Sequence, residues 1–225
     1  MIDIRRLNIF VDETGEFGFE KDASKMYGVS FTFHEQNDNI NDQLARLNDR
    51  LSRIGFTDMI HMAYLVANRN EYSILGIEKR KQIFYSIFEF SKRVKVKYKT
   101  ILIDKSYTDS NQSLENKLIK AINGFINDNY DYISSFDNIV LYYDNGQKTL
   151  CTILESILYR FEGFVHKSDF NHVEKRLFQV SDMLTFVDKL QYKYKNNIPF
   201  TKNENFFFTK NDLRRIMKEL DKKRM

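Results

Sequence analysis

The sequence has a single cysteine, Cys151, a single proline and no tryptophan among its 225 residues. One cysteine excludes an intramolecular disulfide and any zinc site built from pairs of cysteines. Because there are also only four histidines, we expect zinc to be the wrong metal for this chain. Carboxylates are abundant, and they can bind a hard cation such as Mg²⁺ or Mn²⁺.

Glycine and proline are too scarce for flexible linkers or a series of small β-modules, so we predict one domain over residues 1–225. Hydrophobic residues make up 42% of the chain, which excludes a disordered protein. The sequence contains neither a stretch of 18 apolar residues nor the pattern of a signal peptide. We therefore expect a cytoplasmic protein with no membrane partner.

Charge is distributed unevenly, although the net charge is only +4 from 35 basic and 31 acidic residues. Basic side chains are concentrated at residues 92–99 and 209–225. Such surfaces can hold phosphates away from an acidic catalytic centre, so nucleic acid is the partner we expect. A solvated amphipathic helix is the simpler explanation of the second segment. Core packing is favoured over base stacking for the phenylalanines at 206–208.

The hydrophobic pattern alternates between strands and helices, which predicts an α/β fold. Residues 36–92 are predicted to be a helical insertion between the second and third strands, and residues 199–225 a basic helical extension. The predicted strands lie at 7–11, 26–33, 94–103, 138–143 and 173–178, and the predicted helices at 38–54, 77–92, 113–129, 149–161, 179–194 and 211–224.

Three acids occupy related positions in this order. Asp12 ends the first strand, Asp144 follows the apolar 138–143 strand, and Asp182 lies in the first turn of the helix after the last strand. Because ligands collect at the carboxyl ends of parallel strands, we expect these side chains to lie close together. Carboxylates that close repel one another unless a cation separates them, and a pair of divalent ions supports phosphodiester hydrolysis. Turn preference or a helix N-terminus explains each acid alone, so the prediction depends on all three.

Four sequence blocks carry a resemblance to a known family. They are residues 9–18, which read IFVDETGEFG, residues 142–146, which read YYDNG, residues 179–183, which read QVSDM, and the short histidine segment at 60–62. In order and spacing they resemble the signature blocks of the bacterial and phage "domain of unknown function 3800" family. The usual first block reads Asp-Glu-Ser-Gly, and Thr14 replaces the serine here. The resemblance covers about residues 7–195.

The resemblance implies a ribonuclease H-like fold, with a mixed five-stranded sheet flanked by helices. Three antiparallel strands come first in that fold, then two parallel ones. It also implies an acidic metal site made here by Asp12, Glu115, Asp144 and Asp182. A position near a helix N-terminus explains Glu115 without a metal. Glu13 is expected to point to the opposite side of the strand from Asp12, and we rank it lower.

The function that follows is a divalent-metal-dependent nuclease or related phosphodiesterase, in which His61 is a general base, a phosphate contact or a structural histidine. The alternative is a non-catalytic ribonuclease H-like protein that binds or regulates in a phage, mobile-element or defence setting. A third hypothesis is a toxin-like enzyme that acts on RNA. DNA or RNA as substrate, and a homodimer or a monomer, stay open at this point.

Overall fold

The computed structural model describes residues 4–19, 24–171 and 175–225. A five-stranded sheet lies at its centre, with the spatial order β3-β2-β1-β4-β5. The strands are β1 (Arg6–Thr14), β2 (Met26–Glu35), β3 (Lys97–Asp104), β4 (Asn138–Tyr142) and β5 (Phe164–Lys167).

The sheet is mixed, because it contains two antiparallel and two parallel strand pairs. β1 and β2 follow one another closely in sequence and pair antiparallel, as do β2 and β3. β4 pairs parallel with β1, and β5 pairs parallel with β4 after a helical crossover. The carboxyl ends of β1, β4 and β5 therefore meet at one edge of the sheet, as the sequence predicts for β1 and β4.

Helices cover both faces of the sheet. Three of them lie between β2 and β3, where the sequence predicts a helical segment. The helices are α1 (Asn41–Ile54), α2 (Met62–Ala67), α3 (Ile77–Arg93), α4 (Asn111–Asp128), α5 (Tyr130–Ser134), α6 (Lys148–Leu158), α7 (Arg176–Lys195), α8 (Lys202–Phe207) and α9 (Lys210–Asp221). Among the described residues, none of the helices is both long and apolar enough to cross a bilayer.

The alternation of side chains along β1 separates two hydrophobic cores. Leu7, Ile9 and Val11 pack in the core that also contains the apolar residues of α4 and α6. Phe10 packs in the opposite core, with apolar residues of α1, α3 and α7. Consecutive residues at the end of β1 therefore face different layers of the protein.

The predicted fifth strand at residues 173–178 is wrong. The fifth strand is β5, and residues 176–178 form the first turn of α7, while residues 173–174 lie outside the described residues. α7 is buried along most of its length, so its apolar residues do not follow helical spacing and its first turn gives no amphipathic signal. β5 has only four residues and a half-exposed surface, so it gives no clear apolar signal.

The C-terminal extension packs against the sheet and α7. Phe207 and Phe208 are buried in the core and Phe206 is 65% exposed, which confirms core packing for two of the three rings. After α9 the chain runs beside β3, where the Tyr98 amide donates to the Lys223 carbonyl over 2.9 Å. This pairing covers the free edge of β3, as edge strands in native proteins usually require.

Candidate metal centre

Asp182 lies in the second turn of α7 rather than in the first, because the helix begins at Arg176. The helix is fixed to the sheet one residue before Asp182. The hydroxyl of Ser181, which is fully buried, donates to the Phe10 carbonyl over 3.0 Å and pairs with the Thr32 hydroxyl over 2.7 Å. These bonds hold the start of α7 against β1 and β2. Asp182 is thereby placed close enough to Asp12 for its negative charge to raise the pKa of Asp12.

The loop before α2 supplies the other contacts of Asp182. The Met62 amide donates to Asp182 Oδ2 over 2.9 Å, and His61 Nδ1 lies 3.8 Å from the same oxygen. The Tyr72 hydroxyl holds this loop, because it donates to the Met59 carbonyl and accepts from the His61 amide, both over 2.9 Å. The predicted residue His61 is therefore a neighbour of the predicted residue Asp182.

Burial raises the pKa values of Asp182 and Asp12, and neighbouring charges act on that of Asp12 as well. Burial raises the pKa of Asp182 to about 7, and the Met62 amide opposes the shift. The pKa of Asp12 is raised well above its usual range. Burial is the largest cause, and the charges of Asp182, Glu13 and Asp144 add to it. The side chain of Asp182 nevertheless remains 19% exposed, so a small cation can reach it from solvent.

Asp144 lies beyond the end of β4 in a tight turn, where the Gly146 amide donates to its Oδ1 over 3.2 Å. The charge of Asp144 acts on Glu13. Burial, and after it the charge of Asp144, raises the pKa of Glu13 to about 7, although a hydrogen bond from Tyr143 opposes the shift. The other oxygen of this carboxyl, Glu13 Oε2, is buried and has no hydrogen-bond partner among the described residues. A buried carboxylate oxygen without a donor is costly, and a cation would satisfy it.

Gly146 allows Glu13 and Asp144 to share this corner. A β carbon on Gly146 would lie 2.5 Å from Glu13 Oε1 and 3.4 Å from Asp144 Oδ1. The first distance is shorter than any normal contact, so a side chain at this position would displace the Glu13 carboxyl. The glycine of the Asp-Asn-Gly turn therefore has a steric reason beyond turn propensity.

The structure brings Asp12, Asp144 and Asp182 together and adds Glu13, which the sequence analysis ranked lower. The expected alternation of Asp12 and Glu13 does not separate Glu13 from the others, because the charge of Asp144 reaches both carboxyls. The sequence feature that points to Glu13 is its position next to Asp12, which makes two consecutive acids near the end of a strand. Glu115 is half-buried near the start of α4, and the charges that raise the pKa values of Asp12 and Glu13 do not include it.

The donor set fits a hard cation. Neighbouring carboxylates raise the pKa values of Asp12 and Glu13, so a divalent ion at this site would remove repulsion. Oxygen ligands suit Mg²⁺ or Mn²⁺. Perturbed carboxyls that cluster at a sheet edge are also a mark of functional sites. Comparisons of this chain with protein-family models, with curated proteins and with solved structures found no match.

Proposed function

We propose that this chain is a divalent-metal-dependent nuclease or related phosphodiesterase with a ribonuclease H-like fold. The observation that carries the proposal is the convergence of Asp12 near the end of β1, Asp144 beyond the end of β4 and Asp182 in the second turn of α7. The strand order and directions agree with the arrangement that the family resemblance implies. A fold does not dictate a function, so the proposal is supported mainly by the cluster of carboxylates and less by the strand order of the sheet.

Asp12, Asp144 and Asp182 would hold Mg²⁺ or Mn²⁺, and Glu13 rather than Glu115 would be the fourth carboxylate. When bound, such ions lower the pKa of an attacking water and stabilise the charge on the leaving oxygen. Ser181 and the Met62 amide orient the site by fixing α7 and Asp182, as described above. The half-exposed imidazole of His61 is placed to contact a phosphate oxygen or to accept a proton beside Asp182.

Nucleic acid is the proposed partner, and the two basic segments of the sequence support it. Residues 92–99 and 209–225 meet at one groove of about 580 Å³, whose lining includes Lys95, Lys97, Lys222 and Lys223. Glu35 and Asp38 line the same groove, and Lys95 pairs with Asp38 over 2.8 Å. Lys222 pairs with Glu219 over 2.8 Å and Lys223 donates to the Val94 carbonyl over 2.6 Å, so a phosphate backbone would replace these partners when it binds.

We expect the metal-free site to destabilise the fold as pH rises from about 4.5 to about 7. Across this window the folded state holds protons on Glu13 and Asp182, whose pKa values are about 7, whereas the unfolded chain has released them. The free energy of unfolding therefore falls as pH rises. Glu13→Gln should match the wild type at pH 5 and be more stable than it at pH 8, by roughly 1–3 kcal/mol.

Urea denaturation at the two pH values, with a chelator present, measures this difference. Glu115→Gln is the matched control, because the charges that act on Asp12 and Glu13 do not include Glu115, so removing it should not relieve their repulsion. A Glu13→Gln variant that is no more stable than the wild type at pH 8 would contradict the crowding of carboxylates at this site.

Hydrolysis by the purified protein tests the proposed function. Labelled single-stranded and double-stranded DNA and RNA are incubated with Mn²⁺ and, separately, with a chelator. We expect cleavage of at least one substrate with Mn²⁺ and none with the chelator. Binding of Mn²⁺ and nucleic acid without any cleavage would favour the non-catalytic regulatory protein. A thermal melting curve that Mn²⁺ does not shift would argue against the metal centre itself.

A further inference from the structure

A second cluster of metal-binding side chains lies on the opposite side of β4 from α7. Cys151 and Glu155 are one turn apart on α6, and His166 extends from β5 towards them. One ligand atom from each of the three lies within 4.8 Å of the other two. The cluster is composed of sulfur, nitrogen and oxygen donors, unlike the all-carboxylate centre described above.

The hydrogen-bond partners of His166 determine which ring nitrogen is available to a cation. Nε2 lies 3.1 Å from the Tyr143 carbonyl oxygen, which can only accept, so Nε2 carries a hydrogen. Nδ1 lies 2.8 Å from Glu155 Oε1. In the neutral imidazole the lone pair of Nδ1 would face a carboxylate oxygen, which is repulsive. A proton shared by the two atoms gives the ion pair that the structure records, and a metal ion bound by both atoms would replace that proton.

We propose that Cys151, Glu155 and His166 bind Zn²⁺ or a similar borderline-soft divalent metal, with water as a further ligand. A hydrogen bond from the second ring nitrogen to a backbone carbonyl is the usual support of a metal-binding histidine, and Tyr143 provides it here. Thiolate, imidazole and carboxylate are the ligands of protein zinc sites. A cation as hard as Mg²⁺ would not select sulfur.

The imidazole and carboxylate ligands have to move apart to hold one ion. In a tetrahedral site the nitrogen and oxygen ligands are roughly 3.3 Å apart, as follows from metal–ligand distances of about 2.0–2.2 Å. The distance between Nδ1 and Oε1 therefore has to widen from its present 2.8 Å. The side chain of Glu155 is 49% exposed and can rotate to do so, whereas that of His166 is 11% exposed and stays in place.

A zinc site here would depart from the expectation, drawn from the sequence, that zinc is the wrong metal for this chain. That expectation excludes sites built from pairs of cysteines, but this cluster uses one cysteine and draws its histidine from a neighbouring strand. The ion would join α6 to β5 and, through Tyr143, to the end of β4. The inference does not depend on the proposed nuclease activity.

Cobalt is a suitable probe, because a cobalt–thiolate bond gives a charge-transfer absorption band in the near ultraviolet. Cys151 is the only cysteine, so the band can have only one source in this protein. We expect one equivalent of Co²⁺ to produce the band in the reduced wild-type protein, and Zn²⁺ to displace it. Cys151→Ser should abolish the band, while Glu155→Gln and His166→Gln should each weaken Co²⁺ binding at least about tenfold.

Asp144→Asn is the control, and it should keep the band with unchanged affinity, because Asp144 belongs to the carboxylate centre. Glu155→Gln changes an exposed side chain, so it tests the proposal even if Cys151→Ser fails to fold. Two results would overturn the proposal. One is the absence of the band at stoichiometric Co²⁺, which would leave an ion pair between His166 and Glu155. The other is unchanged affinity in both Glu155→Gln and His166→Gln, which would mean that the thiol binds alone.

Discussion

Asp144→Asn should reduce metal-dependent hydrolysis by at least about 10³-fold, because a lost metal ligand removes several kcal/mol of transition-state stabilisation. The fold should remain intact, since Asp144 is exposed and an asparagine oxygen can still accept from the Gly146 amide. Without metal the variant should be as stable as the wild type or slightly more stable. The substitution removes one of the charges that repel Asp12 and Glu13.

Initial rates with Mn²⁺, together with urea denaturation in a chelator, measure both parts of this prediction. Asp131→Asn is the matched control, because Asp131 is exposed on α5, which precedes β4 and lies at the other end of that strand. It should retain full activity. Full activity in Asp144→Asn would refute the assignment of the site, and loss of both activity and stability would point to a structural role for Asp144.

Arg224→Ala should lower the free energy of unfolding by about 3–5 kcal/mol, the usual cost of breaking a buried ion pair. Arg224 donates to both carboxylate oxygens of Asp188, each over 2.7 Å, and to Gln191 over 3.0 Å. Asp188 is only 4% exposed, so the truncation leaves its charge buried without a counter-ion. The variant also loses the contact of the guanidinium with the ring of Tyr98.

Lys222→Ala is the control for this prediction, because Lys222 forms an exposed pair with Glu219 over 2.8 Å. Such pairs contribute at most about 1 kcal/mol. Urea denaturation compares the two variants, and Asp188→Asn combined with Arg224→Ala should recover part of the loss, since an amide needs no counter-ion. If Arg224→Ala were no more destabilising than Lys222→Ala, the C-terminal segment would not hold α7 as the structure indicates.

Local patterns were sufficient to predict much of this fold. β1 and β4 contain apolar runs followed closely by acids, so both strands could be predicted from the sequence. Asp12 does not end its strand as expected, because β1 continues to Thr14 through its pairing with β2. The two helices predicted at 38–54 and 77–92 show clear helical periodicity, and the structure confirms them as α1 and α3, whereas the short α2 was not predicted. Asp182 was identifiable because a charged residue on a largely apolar helix face needs a structural or functional reason.

Features that depend on tertiary contacts were harder to predict from the sequence. α7 is buried on nearly all sides, so its first turn has no amphipathic signal. Glu13 joins the candidate centre only because Gly146 brings the Asp144 turn close to it, which alternation along β1 does not reveal. The cluster around Cys151 combines a helix with a strand that the sequence placed elsewhere. The bond between Arg224 and Asp188 joins residues 36 positions apart with no shared motif.

The position of bound Mn²⁺ in a crystal tests the central claim most directly. Crystals of the wild-type protein soaked in Mn²⁺ would be measured for anomalous scattering, which locates the metal independently of the protein atoms. We predict that the strongest anomalous peak lies among the carboxylates of Asp12, Asp144 and Asp182, with Glu13 beside it. A crystal that binds Mn²⁺ elsewhere and leaves these carboxylates without metal would contradict the account.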